Sequence, residues 1–482
     1  MTIREKAERA AAGVTIDGIL KYIDKNPQQN LLNLVDKVWK LLGDTFPAKN
    51  REAMINALSD ESNVYYHFAM NMLNDVDKGM LKNMLLAAGL GAGYHGTRLV
   101  RSNRDEYKCN IPFLILMDPT SACNLKCKGC WAAEYDKHSS LSYDEMSDIV
   151  RQGRELGTHV YMFTGGEPLI RKNDLIRLCE EYQDCAFLAY TNGTLVDEAF
   201  CDELLRVGNM TLALSIEGSE SVTDSRRGCG TYRKVLEAME ILKKKRVLFG
   251  MSVCYTRDNV ESVTSDEFMN EMVERGVKFG FYFNYMPVGH NSPPELIPTP
   301  EQRKHMYSWV RKTRNGTTGK PLFIMDFQDD GEFVGGCIAG GRNYFHINSA
   351  GDMEPCVFIH YSDANIRTHT LLEGLRGPLF MAYRKNQPFN DNHLRPCPML
   401  ENPECLRSMI AQTGAKSTNP EGEETAEQLC SKCDRFAMEW KPVADKLWET
   451  TPHPNPKTQY WRDTPEGKAE LATKKNEDEP AV

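Results

Sequence analysis

The sequence lacks an excess of positive charge, and its N-terminal stretch lacks the form of an export signal. The net charge is −9 over 482 residues, which argues against a nucleic-acid binder held by phosphate contacts. The opening residues MTIREKAERAAAG are charged and amphipathic rather than apolar. Fifteen cysteines without such a signal indicate metal ligation in a reducing cytoplasm rather than disulfides. We therefore expect a cytoplasmic protein from an anaerobic or well-protected setting.

The sequence also has no apolar run long enough to suggest a membrane span. The most apolar stretch, residues 80–96 (MLKNMLLAAGLGAGYHG), is too short and too close to charges to cross a bilayer. We expect a buried helix packed on the rest of the protein, because apolar helical stripes are usually core. The alternative is a hydrophobic surface that meets a lipid or the membrane interface, as a peripheral membrane contact.

Strands and helices alternate from residue 111 onward, after a helical segment in residues 1–105. Six strand–helix units predict a parallel sheet covered by helices, and right-handed crossovers curl such a sheet toward a barrel. The predicted fold is therefore α/β, a partial (βα)6 TIM-like barrel open on one side. Chemistry in barrels lies at the C-terminal ends of strands. Six residues lie at or near these ends: Cys123, Gly165, Asn192, Glu217, Cys254 and Tyr285.

Three cysteines follow the first predicted strand directly, in residues 118–135, which we call the cysteine loop. Cys123, Cys127 and Cys130 have C-x3-C-x2-C spacing. Three thiolates on one tight loop suggest a [4Fe–4S] cluster, which normally takes four cysteines, with one iron left open. The alternative is a structural zinc site that takes its fourth ligand from elsewhere.

This spacing resembles the signature loop of the radical S-adenosylmethionine (SAM) superfamily. The resemblance implies that the open iron binds SAM through its amino and carboxylate groups. It also implies that the reduced cluster cleaves SAM to a 5′-deoxyadenosyl radical, which removes a hydrogen atom from the substrate. The residue before the third cysteine is commonly aromatic in this family, but here it is Gly129, with Trp131 one place beyond the cysteine. A flavodoxin- or ferredoxin-type electron donor is a further expectation from the resemblance.

The same resemblance implies where SAM is held. GGEP after the second strand matches the family element that binds the SAM amino group, and RGCGTY resembles the element whose arginine meets the SAM carboxylate. For Asn192, the alternative to SAM binding is a purely structural role in a turn. For the contact with the SAM carboxylate, Arg226 is an alternative to its neighbour Arg227. The predicted SAM-binding residues are Gly165, Gly166, Glu167, Pro168, Asn192, Ser215, Glu217 and Arg227.

A second cysteine set lies in the C-terminal third. Cys337 and Cys356 flank a predicted hairpin, in a string that resembles the opening of SPASM and Twitch extensions, which hold auxiliary [4Fe–4S] clusters. Cys430 and Cys433 form a C-x2-C that could complete one such cluster. The full SPASM run is absent, so we expect one auxiliary cluster. Cys397 is an alternative ligand, Cys405 is expected to be a bystander, and zinc at these positions is the alternative metal.

We predict four regions: N-terminal helices (1–105), a radical SAM partial barrel (106–320), an auxiliary-cluster region (321–445) and a partly disordered tail (446–482). The shared radical generator does not define the substrate. Our main hypothesis is an enzyme acting on a small, apolar or lipid-like molecule by oxidation or C–C bond formation. The alternatives are a peptide or protein maturase and a non-catalytic cluster-binding scaffold.

Overall fold

One large parallel sheet organises the chain, which confirms the predicted α/β fold. The computed structural model describes residues 1–27, 29–33, 48–136, 138–419, 424–454, 458 and 460–478. The strands of this sheet are β1 Leu114–Met117, β2 Val160–Phe163, β3 Ala186–Thr191, β4 Met210–Ser215, β5 Phe249–Tyr255, β6 Phe279–Asn284, β7 Phe323–Asp326, β8 Tyr344–Ile347 and β9 Met353–Glu354. A separate antiparallel pair joins β10 Tyr361–Ser362 to β11 Lys416–Ser417.

The sheet contains two more parallel strands than the sequence predicted. Its order is β7-β6-β5-β4-β3-β2-β1-β8-β9, and every neighbouring pair is parallel except β8 and β9. The six predicted strands are confirmed, and β8 pairs with β1 on the side away from β2. The prediction recognised β8 and β9 as a hairpin but missed the pairing with β1, because that contact joins segments far apart in sequence. In the described residues β7 and β9 form the two edges, so the barrel stays open.

Helices cover the outer face of the sheet and form the N-terminal segment. Tight capping fixes several of them; Ser142, for example, forms a capping box with Glu145 at the start of α6. The helices are α1 Ile3–Lys25, α2 Ala48–Ser59, α3 Val64–Asp75, α4 Lys78–Met84, α5 Thr97–Tyr107, α6 Tyr143–Leu156, α7 Lys172–Glu181, α8 Glu198–Val207, α9 Glu220–Arg227, α10 Thr231–Lys245, α11 Val260–Val263, α12 Asp266–Glu274, α13 Pro300–Arg314, α14 Gly331–Val334, α15 Leu371–Leu375, α16 Pro378–Asn386, α17 Pro403–Thr413, α18 Ala426–Thr450 and α19 Pro465–Asp478. Short 3₁₀ helices cover Pro168–Arg171, Pro294–Leu296 and Trp461–Asp463.

The apolar stretch 80–96 continues α4 as a π-helix, Leu85–Gly96. One face is buried against the barrel, as predicted, and includes Leu86 and Gly91. A Cβ on Gly91 would lie 2.1 Å from the carbonyl oxygen of Asp184, so only glycine permits this approach. Leu85 and Tyr94 on the other face are each 53% exposed. Among the described residues, we find no helix with the length and apolar character needed to cross a membrane.

Two hydrophobic cores lie on opposite faces of the sheet. The first packs the outer face of the strands under the surrounding helices. The second combines inner-face residues such as Leu116 with the C-terminal segment, including Trp440 of α18. The predicted boundary at 320 falls before β7 and β8, both of which belong to the sheet. The predicted tail from 446 includes the end of α18 and all of α19, while residues 479–482 lie outside the described part.

Candidate functional site: the cysteine loop and its surroundings

The GGEP turn at the end of β2 holds the cysteine loop through backbone contacts. The Gly166 N–H donates to the Thr120 carbonyl at 2.9 Å, and the Glu167 N–H donates to the Ala122 carbonyl at 2.8 Å. A Cβ on Gly166 would lie 2.0 Å from the Ala122 oxygen, and Gly165 adopts a positive φ of 97°. The glycines therefore permit a close approach to the cysteine loop itself. Pro168 is buried at the first position of the 3₁₀ helix that follows.

The Glu167 carboxylate joins the ends of β2 and β3. It is buried and accepts hydrogen bonds from the Thr191 hydroxyl (2.7 Å) and from the N–H groups of Asn192 (2.8 Å) and Leu169 (3.0 Å). Burial raises the pKa of Glu167, and these donors oppose that effect. Because a carboxylate has about four acceptor positions, about one remains for a ligand ammonium. Asn192 in turn donates to Asn124 Oδ1 at 2.8 Å, inside the cysteine loop.

A buried cluster of one carboxylate and two guanidinium groups lies at the end of β4. Glu217 Oε1 accepts from Arg226 Nη1 at 2.6 Å and from Arg227 Nε at 2.8 Å, and Oε2 accepts from the Cys254 N–H at 3.1 Å. Burial opposes the charge on Glu217, but the two arginines outweigh it and lower its pKa. Two cations share one anion, which leaves one positive charge in excess. Arg226 Nε has no hydrogen-bond partner among the described residues.

This charge lies beside the cysteine loop. Arg227 Nη1 is 4.0 Å from Cys127 Sγ, and the Lys128 N–H donates to the Arg226 carbonyl at 2.8 Å. Desolvation, followed by the nearby charges of Glu167, Cys127 and Cys130, raises the pKa of Cys123. The three predicted thiols are therefore within electrostatic reach of one another. In the part of the chain that the structure describes, no three His, Cys, Asp or Glu side chains gather closely enough to bind one metal ion.

Tyr285, just beyond β6, fills the space in front of Gly129. A Cβ on Gly129 would lie 2.7 Å from the Tyr285 ring, and Gly129 has a φ of 66°, where side chains are strained. Tyr285 is 1% exposed, and its hydroxyl has no hydrogen-bond partner in the described chain. An aromatic ring from β6 thus occupies the place where an aromatic residue at 129 would begin. The sequence signal for this arrangement was the glycine at a position that is usually aromatic.

A buried network that the sequence analysis missed joins the cysteine loop to the β8–β9 hairpin. His346 Nε2 lies 3.0 Å from Asp118 Oδ1, and its Nδ1 lies 2.7 Å from Glu354 Oε2; all three side chains are fully buried. Burial opposes the charge on His346, but the two carboxylates raise its pKa to about 10. The Trp131 ring, directly after Cys130, contacts the His346 ring edge-on with centroids 5.8 Å apart. No local pattern in YFHI could have indicated partners so distant in sequence.

Five C-terminal cysteines belong to or pack against the second hydrophobic core, which also contains the buried ring of Tyr383. We call them the C-terminal cysteine group: Cys337, Cys356, Cys397, Cys430 and Cys433. Cys397 belongs to it, because it packs against the same core as Cys337. Desolvation and then the charges of Glu401, Cys337 and Cys356 raise its pKa. Its sulfur accepts the N–H groups of Met399 and Leu400, both at 3.4 Å. Desolvation and then the charge of Glu404 raise the pKa of Cys405 to about 11, and its role as a bystander stays a prediction.

Parts of the chain are similar to known proteins. Residues 117–278 match the Radical SAM superfamily. An AdoMet-dependent heme synthase of Methanosarcina barkeri is 24% identical over 292 residues, 55% of this chain and 82% of that protein. A PqqA peptide cyclase of Granulibacter bethesdensis is 25% identical, covering 51% of this chain and 67% of that protein. The solved structure of histidine-tagged anSMEcpe with bound AdoMet aligns over 70% of this chain and 98% of that chain, with 20% identity and a TM-score of 0.50, which indicates a shared fold.

Proposed function

We propose that this chain, whose residues 117–278 match the Radical SAM superfamily, is a radical SAM enzyme. Its substrate is an apolar small molecule held inside the open barrel. The inner face of the sheet carries this proposal. It is lined by half-buried apolar side chains, while the outer face is closed by helices. The enzyme would work in the cytoplasm with a flavodoxin- or ferredoxin-type electron donor.

The cysteine loop fits the cofactors of this family. Cys123, Cys127 and Cys130 would hold a [4Fe–4S] cluster, which supplies the electron that cleaves SAM and so generates the hydrogen-abstracting radical. A cluster held by thiolates and the carboxylate of SAM both suit the excess positive charge on Arg226 and Arg227. Arg226 Nε and the Tyr285 hydroxyl, which have no partner in the described chain, are buried beside this loop and are free to meet a ligand.

Residues on alternate positions of the strands face the inside of the barrel. Burial along β6 alternates, so Phe279, Phe281 and Phe283 are less buried than the residues between them. The register places Phe283 opposite Cys254 and Phe281 opposite Met325, on the same face. Ser215 and Ser252 pair on the neighbouring strands. Several side chains on the inner face are therefore only partly buried, as side chains that line a binding cavity are.

Aromatic rings continue around this inner face. Tyr190 contacts Phe281 and Phe283 with centroids 5.6 and 5.7 Å apart, and Phe327 contacts Phe283 at 5.6 Å. Phe358, after the hairpin, contacts Phe327 at 6.3 Å. Polar groups concentrate near the cysteine loop, at the C-terminal ends of the strands. This arrangement suits a substrate whose apolar body lies against the aromatic rings and whose reacting carbon lies near the cysteine loop, where SAM would bind.

A peptide-modifying role is the second candidate, because one relative is named PqqA peptide cyclase. All described elements before β1 are helices, so the described part of this segment offers no strand to which a leader peptide could add by β-augmentation. That observation favours the small-molecule hypothesis.

The test has two parts. The anaerobically reconstituted wild-type protein should form 5′-deoxyadenosine from SAM with a strong reductant. Cells that lack the gene are then complemented with wild type, Phe281→Glu or the outward-facing control Glu237→Gln, and their metabolites, lipids and peptides are compared. We expect an apolar product that wild type and the control restore. Phe281→Glu should not restore it, although that variant still cleaves SAM. A modified peptide as the only difference would overturn the proposal in favour of the maturase.

A further inference from the structure

A cavity lies at the opposite end of the barrel from the cysteine loop. Its volume is about 430 Å³, within the range of about 300–1,000 Å³ of small-molecule sites. Its walls come from α1, the π-helix Leu85–Gly96, α5 and the residues just before β2 and β3. Because barrel chemistry occurs at the C-terminal ends of strands, this cavity is separate from the SAM site.

The N-terminal helix that closes the cavity is attached along its length. Asp24 pairs with Lys78 at 2.8 Å, Asp17 pairs with Lys82 at 2.5 Å, and Glu8 lies 3.4 Å from His95. These contacts hold α1 against α4 and the π-helix.

Two arginines face this cavity without a carboxylate partner. Neither Arg9 nor Arg98 forms an ion pair with any described residue; Arg98 donates to the Tyr94 hydroxyl at 3.1 Å. Burial lowers the pKa of Arg9, and the more distant Asp184 only partly opposes this effect. Asp184 is already engaged by Arg154, at 2.7 and 3.0 Å. Glu5 also lines the cavity, and its carboxylate accepts a hydrogen bond from the Thr2 N–H at 2.7 Å. Three arginines (Arg9, Arg98 and Arg154) against two carboxylates (Glu5 and Asp184) leave one positive charge in excess.

The remaining wall is apolar. Leu86, Leu90 and Leu99 line it, and Leu99 is 38% exposed. Gly91 also lines the cavity, and its contact with Asp184 brings the π-helix close to the base of the barrel. A π-helix is rare and often marks a functional position. Guanidinium groups beside leucines match a molecule with an anionic head and an apolar body.

We propose that this cavity is a second binding site, for an amphipathic anion whose carboxylate or phosphate contacts Arg9 and Arg98 and whose apolar chain lies along Leu86, Leu90 and Leu99. The site is independent of the proposed catalytic function, since none of these residues touches the cysteine loop. It also gives a role to the apolar stretch 80–96.

Calorimetric titration of the full-length, cluster-loaded protein with decanoate, decyl phosphate and decanol tests the proposal. We expect decanoate or decyl phosphate to bind, and whichever is tighter identifies the head group. Decanol should bind at least about tenfold more weakly, because it cannot form the charged hydrogen bonds. Failure of both anions to bind, or decanol binding as tightly as they do, would overturn the proposal.

Substitutions in the cavity wall test whether the anion binds in this cavity. Arg9→Gln and Arg98→Gln should each weaken anion binding about tenfold, and the double variant about a hundredfold. Leu90→Trp should block the apolar wall without changing charge. Arg101→Gln, on the exposed side of α5, is the matched control and should bind like wild type. Thermal midpoint, iron content and SAM binding should stay unchanged in all four single variants. Unchanged anion affinity in the double variant would show that the anion binds elsewhere.

Discussion

The cysteine loop and the C-terminal cysteine group both bring several thiols into one region, but they do so in different ways. The loop places three cysteines within residues 123–130 and is fixed by backbone contacts to the glycine turn after β2. The C-terminal group draws five cysteines from residues 337–433 and is fixed by side-chain packing around Tyr383. The sequence spacing alone shows which cysteines belong to the loop. Which cysteines belong to the C-terminal group depends on tertiary packing, because they lie far apart in sequence.

Removing the three loop cysteines should abolish SAM cleavage and leave the C-terminal cysteine group intact. In the variant with Ala at 123, 127 and 130, SAM cleavage should be lost completely, because no thiolate remains to hold the radical-generating cluster. We expect about four irons and four sulfides per chain to remain, as one [4Fe–4S] centre requires. Iron and sulfide analysis with a 5′-deoxyadenosine assay measures both. Cleavage of SAM by this variant would contradict the assignment, and zinc without sulfide would mean that the C-terminal group is not a cluster site.

Cys397, inside the C-terminal cysteine group, and Cys405, outside it, form a matched pair for testing which thiols bind iron. In the triple-Ala background, Cys397→Ala should lower the iron content sharply if its sulfur is a ligand. Its packing against the same core as Cys337, and its electrostatic interaction with Cys337 and Cys356, favour that outcome. Cys405→Ala should leave all four irons, since that residue lies apart from the group. Full iron content in both variants would return the ligand set to Cys337, Cys356, Cys430 and Cys433.

The backbone attachment of the cysteine loop should be sensitive to a single methyl group. Gly166→Ala places a Cβ 2.0 Å from the Ala122 oxygen, and relieving such overpacking costs about 1–3 kcal/mol. We expect a lower thermal midpoint and partial loss of the loop cluster. Gly18→Ala in α1 is the control, because nothing lies within 4 Å of the added carbon; it should stabilise by up to about 1 kcal/mol. Equal midpoints for the two variants would argue against a rigid attachment.

The His346 network should give the smallest effect, a pH dependence of stability. The folded pKa of about 10 lies above the unfolded value of about 6.5. Its stabilising contribution is therefore complete below about pH 6.5 and is lost as the pH rises toward about 10. Thermal midpoints measured across this interval should fall more steeply in wild type than in His346→Gln. Parallel curves for the two proteins would show that His346 is not charged in the fold.

Local patterns allowed much of the fold and part of the site to be predicted. The six strands, the hairpin and the cysteine loop all follow from short-range features. Three other features depend on contacts between segments that are separated in sequence. They are the pairing of β8 with β1, the hydrogen bonds that Glu167 accepts from Thr191 and Asn192, and the partnership of His346 with Asp118. Glu167 shows the consequence: the motif predicts it as a SAM contact, and the structure uses most of its carboxylate to join two strand ends.

The pairing of β8 with β1 also determines where this protein can be divided. β1 leads into the cysteine loop, and β8 leads into the hairpin that precedes Cys356. A fragment ending at residue 320 would keep every radical SAM motif but leave one side of β1 without a partner. An unpaired apolar strand edge of this kind recruits other chains, so such a fragment would aggregate. Any minimal catalytic fragment must therefore retain the chain through β9.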